Sequence, residues 1–80
     1  MSTDRPQWTG LRDKHASCQT ELGAMWIRTN TDGNVTGVYT LFGQTVKYVP
    51  GPDETWSVED GKLIAELVLE MEKILRNQSN

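Results

Sequence analysis

The chain has 80 residues, one cysteine and a formal net charge of -3. This length supports one compact domain, and a single cysteine excludes a disulfide within the chain. The acidic balance argues against a protein whose main role is to bind nucleic-acid phosphates, because that role requires surplus Lys and Arg. We interpret 1–9 as a flexible leader and 10–80 as a single domain.

The polar amino terminus lacks the apolar region of a secretory signal. No stretch of the sequence has the roughly 20 apolar residues that a membrane-spanning helix requires. We therefore expect a cytoplasmic location and no membrane contact.

The amino-terminal third of the domain offers a short helix as one interpretation. Four residues recur there at spacings of four, three and four, which is typical of a narrow helical stripe. They are Leu11, His15, Cys18 and Leu22. An irregular leader ahead of the first strand is the alternative.

His15 and Cys18 are the one histidine and the one cysteine of the chain. Zinc takes four ligands, so this pair alone cannot complete a zinc site. A catalytic thiol would need an orienting group and an oxyanion-binding loop, and no nucleotide-binding, metalloprotease or serine-hydrolase motif occurs either. We predict a buried structural Cys18 beside a half-buried His15, with no enzyme activity, metal or cofactor.

The middle of the chain is typical of a three-stranded antiparallel meander. Residues 24–30, 35–42 and 45–49 are rich in Val, Thr, Ile and aromatic residues, which favour strands. Asp32-Gly33 and Gly43-Gln44 suit two-residue hairpin turns between them. A proline-containing segment follows and ends the third strand.

Two-residue turns fix the register, and this register predicts two apolar sheet faces. It sets Trp26 opposite Tyr39 and Tyr39 opposite Tyr48. One predicted face carries Met25, Ile27, Val38, Thr40, Phe42 and Val49. The other, an aromatic face, carries Trp26, Arg28, Tyr39, Leu41, Val46 and Tyr48. Because neither face is polar, we expect both to be covered or used.

The clearest element is a C-terminal helix over 57–76. Ser57 followed three residues later by Asp60 resembles a capping box. Seven large apolar residues then recur at spacings of three and four and form an apolar stripe about 140° wide. The apolar stripe consists of Leu63, Ile64, Leu67, Val68, Met71, Ile74 and Leu75. We predict that it packs on the sheet, and that Leu69, which lies off it, is exposed or covered by something else.

Together these elements predict an α+β fold in which a three-stranded antiparallel meander packs against a C-terminal amphipathic helix. The order is α-β-β-β-α with the short N-terminal helix and β-β-β-α without it. The helix suits the aliphatic face of the sheet, so the aromatic face needs another cover or a ligand.

Charge is unevenly distributed along the chain. Residues 1–49 carry five bases and four acids, whereas residues 50–80 carry three bases and seven acids. The densest acidic part contains Asp53, Glu54, Glu59 and Asp60. These residues form either a solvated loop with a dipole-favoured first helical turn, or an acidic patch that steers the protein toward a basic partner.

The aromatic row of Trp26, Tyr39 and Tyr48, with Arg28 beside it, is the most suggestive feature. The rings could pack in the core under the amino-terminal segment, form a protein interface, or stack on unpaired bases. We favour a small non-enzymatic protein–protein interaction module, a regulator, adaptor or inhibitor of the kind phages use. It would act through the aromatic face and the acidic patch on another protein, where a basic surface would complement the acidic patch. Homodimerisation is a variant. A single-stranded nucleic-acid-binding module, disfavoured by the net charge, and a structural subunit of a larger assembly are the alternatives.

Overall fold

The computed structural model describes residues 5–78, which form one antiparallel sheet and one helix. In chain order the elements are β1 (His15–Thr20), β2 (Gly23–Thr29), β3 (Val35–Leu41), β4 (Thr45–Tyr48) and α1 (Val58–Gln78). Each strand pairs with the next, so the sheet order is β1-β2-β3-β4. The predicted α+β meander with a C-terminal helix is confirmed, although the sheet has four strands where three were predicted.

The prediction of a short N-terminal helix is wrong, because that segment forms β1. Asp13 and Lys14 have φ of 53° and 62°. Arg12 and His15, on either side of them, exchange backbone hydrogen bonds of 2.9 and 3.0 Å. Two central residues at positive φ make a type I′ hairpin turn, which reverses the chain and cannot continue a helix.

The strand geometry separates the residues of the expected helical stripe. Ala16 and Cys18 are fully buried against the helix side of the sheet, while His15 is half-buried and lies on the opposite face. An odd sequence separation puts two strand residues on opposite faces. The predicted burial of Cys18 and half-burial of His15 are therefore confirmed, on a strand and not on a helix.

The predicted pairing of β2 with β3 is confirmed. Trp26 lies opposite Tyr39 and Ile27 opposite Val38. The turn between the two strands is held by Asn30, whose Oδ1 accepts hydrogen bonds from the backbone N–H groups of two following residues, at 2.9 and 3.0 Å. A side-chain acceptor of this kind replaces backbone pairing within the turn.

The predicted register of β3 and β4 is wrong by one residue. Leu41 pairs with Thr45, so three residues and not two form the loop, with Gly43 at φ 98°. Tyr39 consequently lies opposite Lys47, and Tyr48 lies opposite Val38. Because side chains alternate along a strand, this shift moves Val46 and Tyr48 from the predicted aromatic face to the helix side of the sheet.

The helix begins as its sequence predicts. The Ser57 N–H donates to Asp60 Oδ2 at 3.0 Å, and the Asp60 N–H donates to Ser57 Oγ at 3.1 Å. This reciprocal pair is the capping box. Near the other end, Arg76 and Glu72 form an i,i+4 ion pair at 3.2 Å.

The helix contacts the sheet mainly through a line of residues beside the apolar stripe. Of the stripe, Ile64 and Val68 pack against the core with partial burial, so the prediction that the whole apolar stripe packs on the sheet is wrong for its other five residues. Gly61, Ala65 and Leu69 are the buried residues of α1. A β-carbon on Gly61 would lie 2.9 Å from Cγ2 of Val35 and 3.4 Å from Cγ2 of Ile27. Residues four apart lie on one side of a helix, so this line of residues allows α1 to approach β2 and β3 closely.

The amino-terminal segment closes the β1 side of this core. The Arg5 guanidinium donates to both carboxylate oxygens of Glu66 at 3.0 and 2.9 Å, and Trp8 Nε1–H donates to the same carboxylate at 2.8 Å. The Thr9 N–H also donates to the Ser17 carbonyl at 2.8 Å. Of the predicted leader, residues 1–4 lie outside the described residues, and these contacts attach the remainder to α1 and β1.

Candidate functional site

The sheet has an outer face, on the side opposite α1, that carries a row of aromatic and basic side chains. The outer face consists of His15, Ser17, Gln19, Ala24, Trp26, Arg28, Gly37, Tyr39, Leu41, Thr45 and Lys47. Across its middle, strand pairing aligns Ser17, Trp26, Tyr39 and Lys47 in a single row. Trp26 and Tyr39 are half-buried and do not belong to the residues packed against the core. The interpretation in which these two rings form core under the amino-terminal segment is therefore wrong.

The two rings stack on each other. Their centroids lie 5.3 Å apart and their planes differ by 3°. Lys47 Nζ lies 5.5 Å from the Tyr39 centroid, on the side away from Trp26. Tyr39 therefore has both ring faces in contact with neighbours, and Trp26 has one ring face left, turned toward Ser17. The two stacked rings form a rigid aromatic surface. Rigid aromatic side chains of this kind often anchor protein interfaces.

The outer face is also basic. The four strands contain Arg28 and Lys47 but no acidic residue. An open depression of about 650 Å³ lies at the end of this face where β1 begins. Its lining residues are Thr9, Gly10, Leu11, Arg12, Asp13, His15 and Arg28. Arg12 and Arg28 outnumber the one carboxylate of the lining, Asp13, so the depression suits a carboxylate, which arginine binds in a bidentate manner.

Tyr48 does not belong to this surface, which corrects the predicted aromatic row. The register shift places Tyr48 on the helix side, where it packs against the core with partial burial. Lys47 takes the place that Tyr48 was expected to occupy beside Tyr39. The structure thus brings together Trp26, Tyr39 and Arg28 of the predicted site, and it adds Lys47.

Three of the four predicted acidic site residues have partners within the chain. Glu59 forms an ion pair with Arg5 at 3.1 Å, and Asp60 completes the capping box. Glu54 Oε1 accepts a 2.7 Å hydrogen bond from the Gly51 N–H, which fixes the loop before the helix. Asp53 is exposed in the same loop. Most of the acidic segment therefore stabilises the loop before α1, the start of α1 and its contact with Arg5.

The apolar stripe of α1 is the surface that sequence reasoning assigned to the core. Its exposed members are Leu63 (49% exposed), Leu67 (61%), Met71 (55%), Ile74 (54%) and Leu75 (57%). Together they present on the order of 500 Å² of apolar area, near the upper end of what a monomeric protein exposes in one patch. The spacing of Gly61, Ala65 and Leu69 was the available signal that another side of the helix contacts the sheet.

A groove continues the apolar stripe toward β4. Val46 and Tyr48 are only half-buried, because α1 packs on β2 and β3. Between β4 and the helix lies an open groove of about 380 Å³. Phe42 and Val68 line it together with those two residues, and Thr40, Gln44 and Glu72 add polar groups. The groove therefore adjoins the apolar stripe at Val68 and is of mixed polarity.

Cys18 is the remaining reactive group, and it is inaccessible. Its side chain is 2% exposed, and burial raises the pKa of the thiol, with a smaller contribution from the Glu66 charge. Residues 5–78 contain no group of three or more His, Cys, Asp or Glu that could hold a metal ion. Over the same range, α1 is too polar to cross a membrane.

Comparisons with known proteins add no relative. No family model, curated protein or solved structure matches the chain.

Proposed function

We propose that this protein is a small protein-binding module that recognises its partner through the outer face of its sheet. The observation that carries the proposal is the stacked pair of Trp26 and Tyr39 on a face that α1 does not contact. Tryptophan, tyrosine and arginine are the side chains that most often dominate binding energy at protein interfaces. The outer face offers all three, with Arg28 beside the rings.

The charges of the outer face indicate the chemistry of the partner. Arg28 and Lys47 lie on strands that lack acidic residues, and Arg12 lies at the adjoining depression. A partner surface with carboxylates around an apolar centre would complement this arrangement. We assign the binding role to this face and not to Glu54, Glu59 and Asp60, which have internal contacts. A cytoplasmic setting fits the single thiol, Cys18, which is unpaired.

A single-stranded nucleic acid is the second candidate, because one face of Trp26 and two nearby cations could hold a base and a phosphate. The stacking of Tyr39 between Trp26 and Lys47 argues against it, since a multi-base platform needs several open ring faces. Titration of a single-stranded oligonucleotide at low salt, followed by tryptophan fluorescence, separates the two. We expect no saturable quenching; saturable micromolar binding would favour the nucleic-acid function.

The protein-binding proposal is tested by capture of a specific partner with matched variants. We expect Lys47→Glu, and separately Trp26→Ala, to lose a partner that the unaltered protein retains. A control with Thr31→Glu and Asn77→Glu changes net charge by the same amount as Lys47→Glu, at two exposed positions outside the outer face. Retention by the control and loss by both outer-face variants supports the proposal, whereas equal retention by all four proteins contradicts it.

A further inference from the structure

We infer that the apolar stripe of α1 is a self-association surface, on which a second copy of this chain packs its own α1 in antiparallel orientation. This inference concerns the side of the sheet opposite the outer face, so it does not depend on the proposed function. Its starting point is the exposure of Leu63, Leu67, Met71 and Ile74, each between 49% and 61%, on a 21-residue helix.

The spacing of the apolar stripe indicates that its occupant is a helix. Ile64, Leu67, Met71 and Ile74 follow one another at intervals of three, four and three residues. This is the spacing that lets the side chains of one helix interlock with those of another along a shared contact line. Asp60 and Gln78 lie on the same line at its two ends and limit the apolar part to about 18 Å at 1.5 Å per residue.

The apolar stripe has a symmetric pattern that lets it pair with the same stripe of a second copy. Six of its seven residues are placed symmetrically about position 69, as the pairs 63 and 75, 64 and 74, and 67 and 71. In an antiparallel pair of identical helices centred there, Leu67 shares a layer with Met71 of the second copy. Ile64, which is half-buried and also packs against its own core, shares a layer with Ile74 of the second copy. Two-fold symmetric pairing of this kind is the commonest form of protein oligomer.

The helix dipoles favour the antiparallel orientation. Antiparallel packing sets the positive, N-terminal end of one helix beside the negative, C-terminal end of the other, whereas parallel packing sets like ends side by side. Glu59, Asp60 and Arg76 have partners within the chain, so the orientation does not depend on their charges.

The available area reaches the lower bound for a specific contact. The exposed part of the apolar stripe contributes at most on the order of 500 Å² per copy, so two copies bury up to about 1,000 Å² in total, the size of a weak, reversible interface. The groove between β4 and α1, of mixed polarity, adjoins this surface at Val68. A dimer formed here leaves the outer face of each copy exposed, so that two outer faces point away from the contact.

The test is the mass of the full chain in solution, measured by light scattering over a concentration series. We expect twice the chain mass of 9.0 kDa at the higher concentrations. Leu67→Glu places a charge in the contact and should raise the dissociation constant about a hundredfold or more. Gln19→Glu adds the same charge on the outer face and should leave the dimer intact. A monomer at every concentration, or a dimer that Leu67→Glu does not weaken, overturns the inference.

Two further variants test the fold and the orientation. Met71→Lys repeats the disruption at a second exposed position, and its circular dichroism should match that of the unaltered protein; retention of the dimer by a folded Met71→Lys protein also overturns the inference. For orientation, an oxidised mixture of Ile64→Cys and Ile74→Cys proteins should form the mixed disulfide. Cross-linking of each variant only with itself would show a parallel pair and contradict the antiparallel arrangement.

Discussion

Gly61→Ala tests the packing of α1 on the sheet, because the packing determines whether the substitution raises or lowers the free energy of unfolding. Replacing a helical glycine by alanine at a solvent-exposed site stabilises a protein by roughly 0.5–1 kcal/mol, because alanine restricts the unfolded chain and favours the helix. Gly61 is buried, and its position faces β2 and β3. We therefore expect Gly61→Ala to destabilise the protein instead.

The magnitude follows from the contact that the new methyl group would make. Its carbon would lie 2.9 Å from Cγ2 of Val35, a buried side chain with a short, stiff stem. Overpacking of this kind costs typically 1–3 kcal/mol, from which the propensity gain is subtracted. The expected net loss in free energy of unfolding is about 0.5–2 kcal/mol, or several degrees in Tm for a domain of this size.

Urea denaturation followed by circular dichroism at one protein concentration is the assay. Gly61→Leu extends the series, because leucine has nearly the helix propensity of alanine but a much larger side chain. We expect a larger loss for Gly61→Leu than for Gly61→Ala. An increase in stability for both variants would refute the packing of α1 through Gly61.

Three further outcomes follow from the contacts of the fold. Glu66→Ala should lower the free energy of unfolding by about 1–2 kcal/mol, because the hydrogen bonds from Arg5 and Trp8 are lost. Tryptophan emission should also shift, because the Trp8 indole loses its partner. An unchanged urea midpoint with unchanged emission would argue against these contacts. Asn30→Ala should cost about 1–2 kcal/mol through the two turn N–H groups left without their acceptor, whereas Asn30→Asp, which keeps an acceptor, should cost less. Cys18 should react with a thiol reagent only on unfolding, because burial raises its pKa. The folded state holds the thiol proton of Cys18 more tightly than the unfolded state does, so the free energy of unfolding should fall as pH rises above the ordinary thiol pKa of 9.0. This part of the decline should be absent in Cys18→Ala. Rapid labelling of Cys18 in the native protein would contradict its burial.

Local signals in the sequence were sufficient for the meander and for the start of the helix. The pairing of Trp26 with Tyr39 follows from alternation and from a glycine-containing turn, and the capping box of Ser57 and Asp60 depends on residues three apart. Interactions between residues this close in sequence are determined by the local sequence. They could be predicted without knowing how the helix packs on the sheet.

The errors arose where two local patterns compete or where tertiary packing decides. Leu11, His15, Cys18 and Leu22 match a helical spacing, but the turn at 13–14 reverses the chain and pairs Ala16 and Cys18 with β2. The choice between a two-residue and a three-residue loop at Gly43 changes the register by one, and this choice determined the misplacement of Tyr48 and the absence of Lys47 from the predicted site.

The orientation of α1 was the largest error, and its cause is general. An apolar stripe shows that a helix face avoids water, but it does not show whether the sheet of the same chain or a second molecule covers that face. In this protein the line of Gly61, Ala65 and Leu69 packs on the sheet, and five of the seven residues of the apolar stripe are exposed. A surface expected to explain stability thus became a candidate for association.

Two leucines on α1 test the central claim most directly, because they are two residues apart and differ mainly in burial. Leu69 is 2% exposed and Leu67 is 61% exposed. At low protein concentration, where association contributes least, we expect Leu69→Ala to cost about 2–5 kcal/mol in free energy of unfolding. Leu67→Ala should change it by no more than about 0.5 kcal/mol. A large loss for Leu67→Ala with little change for Leu69→Ala would show that the apolar stripe faces the sheet and would contradict the account.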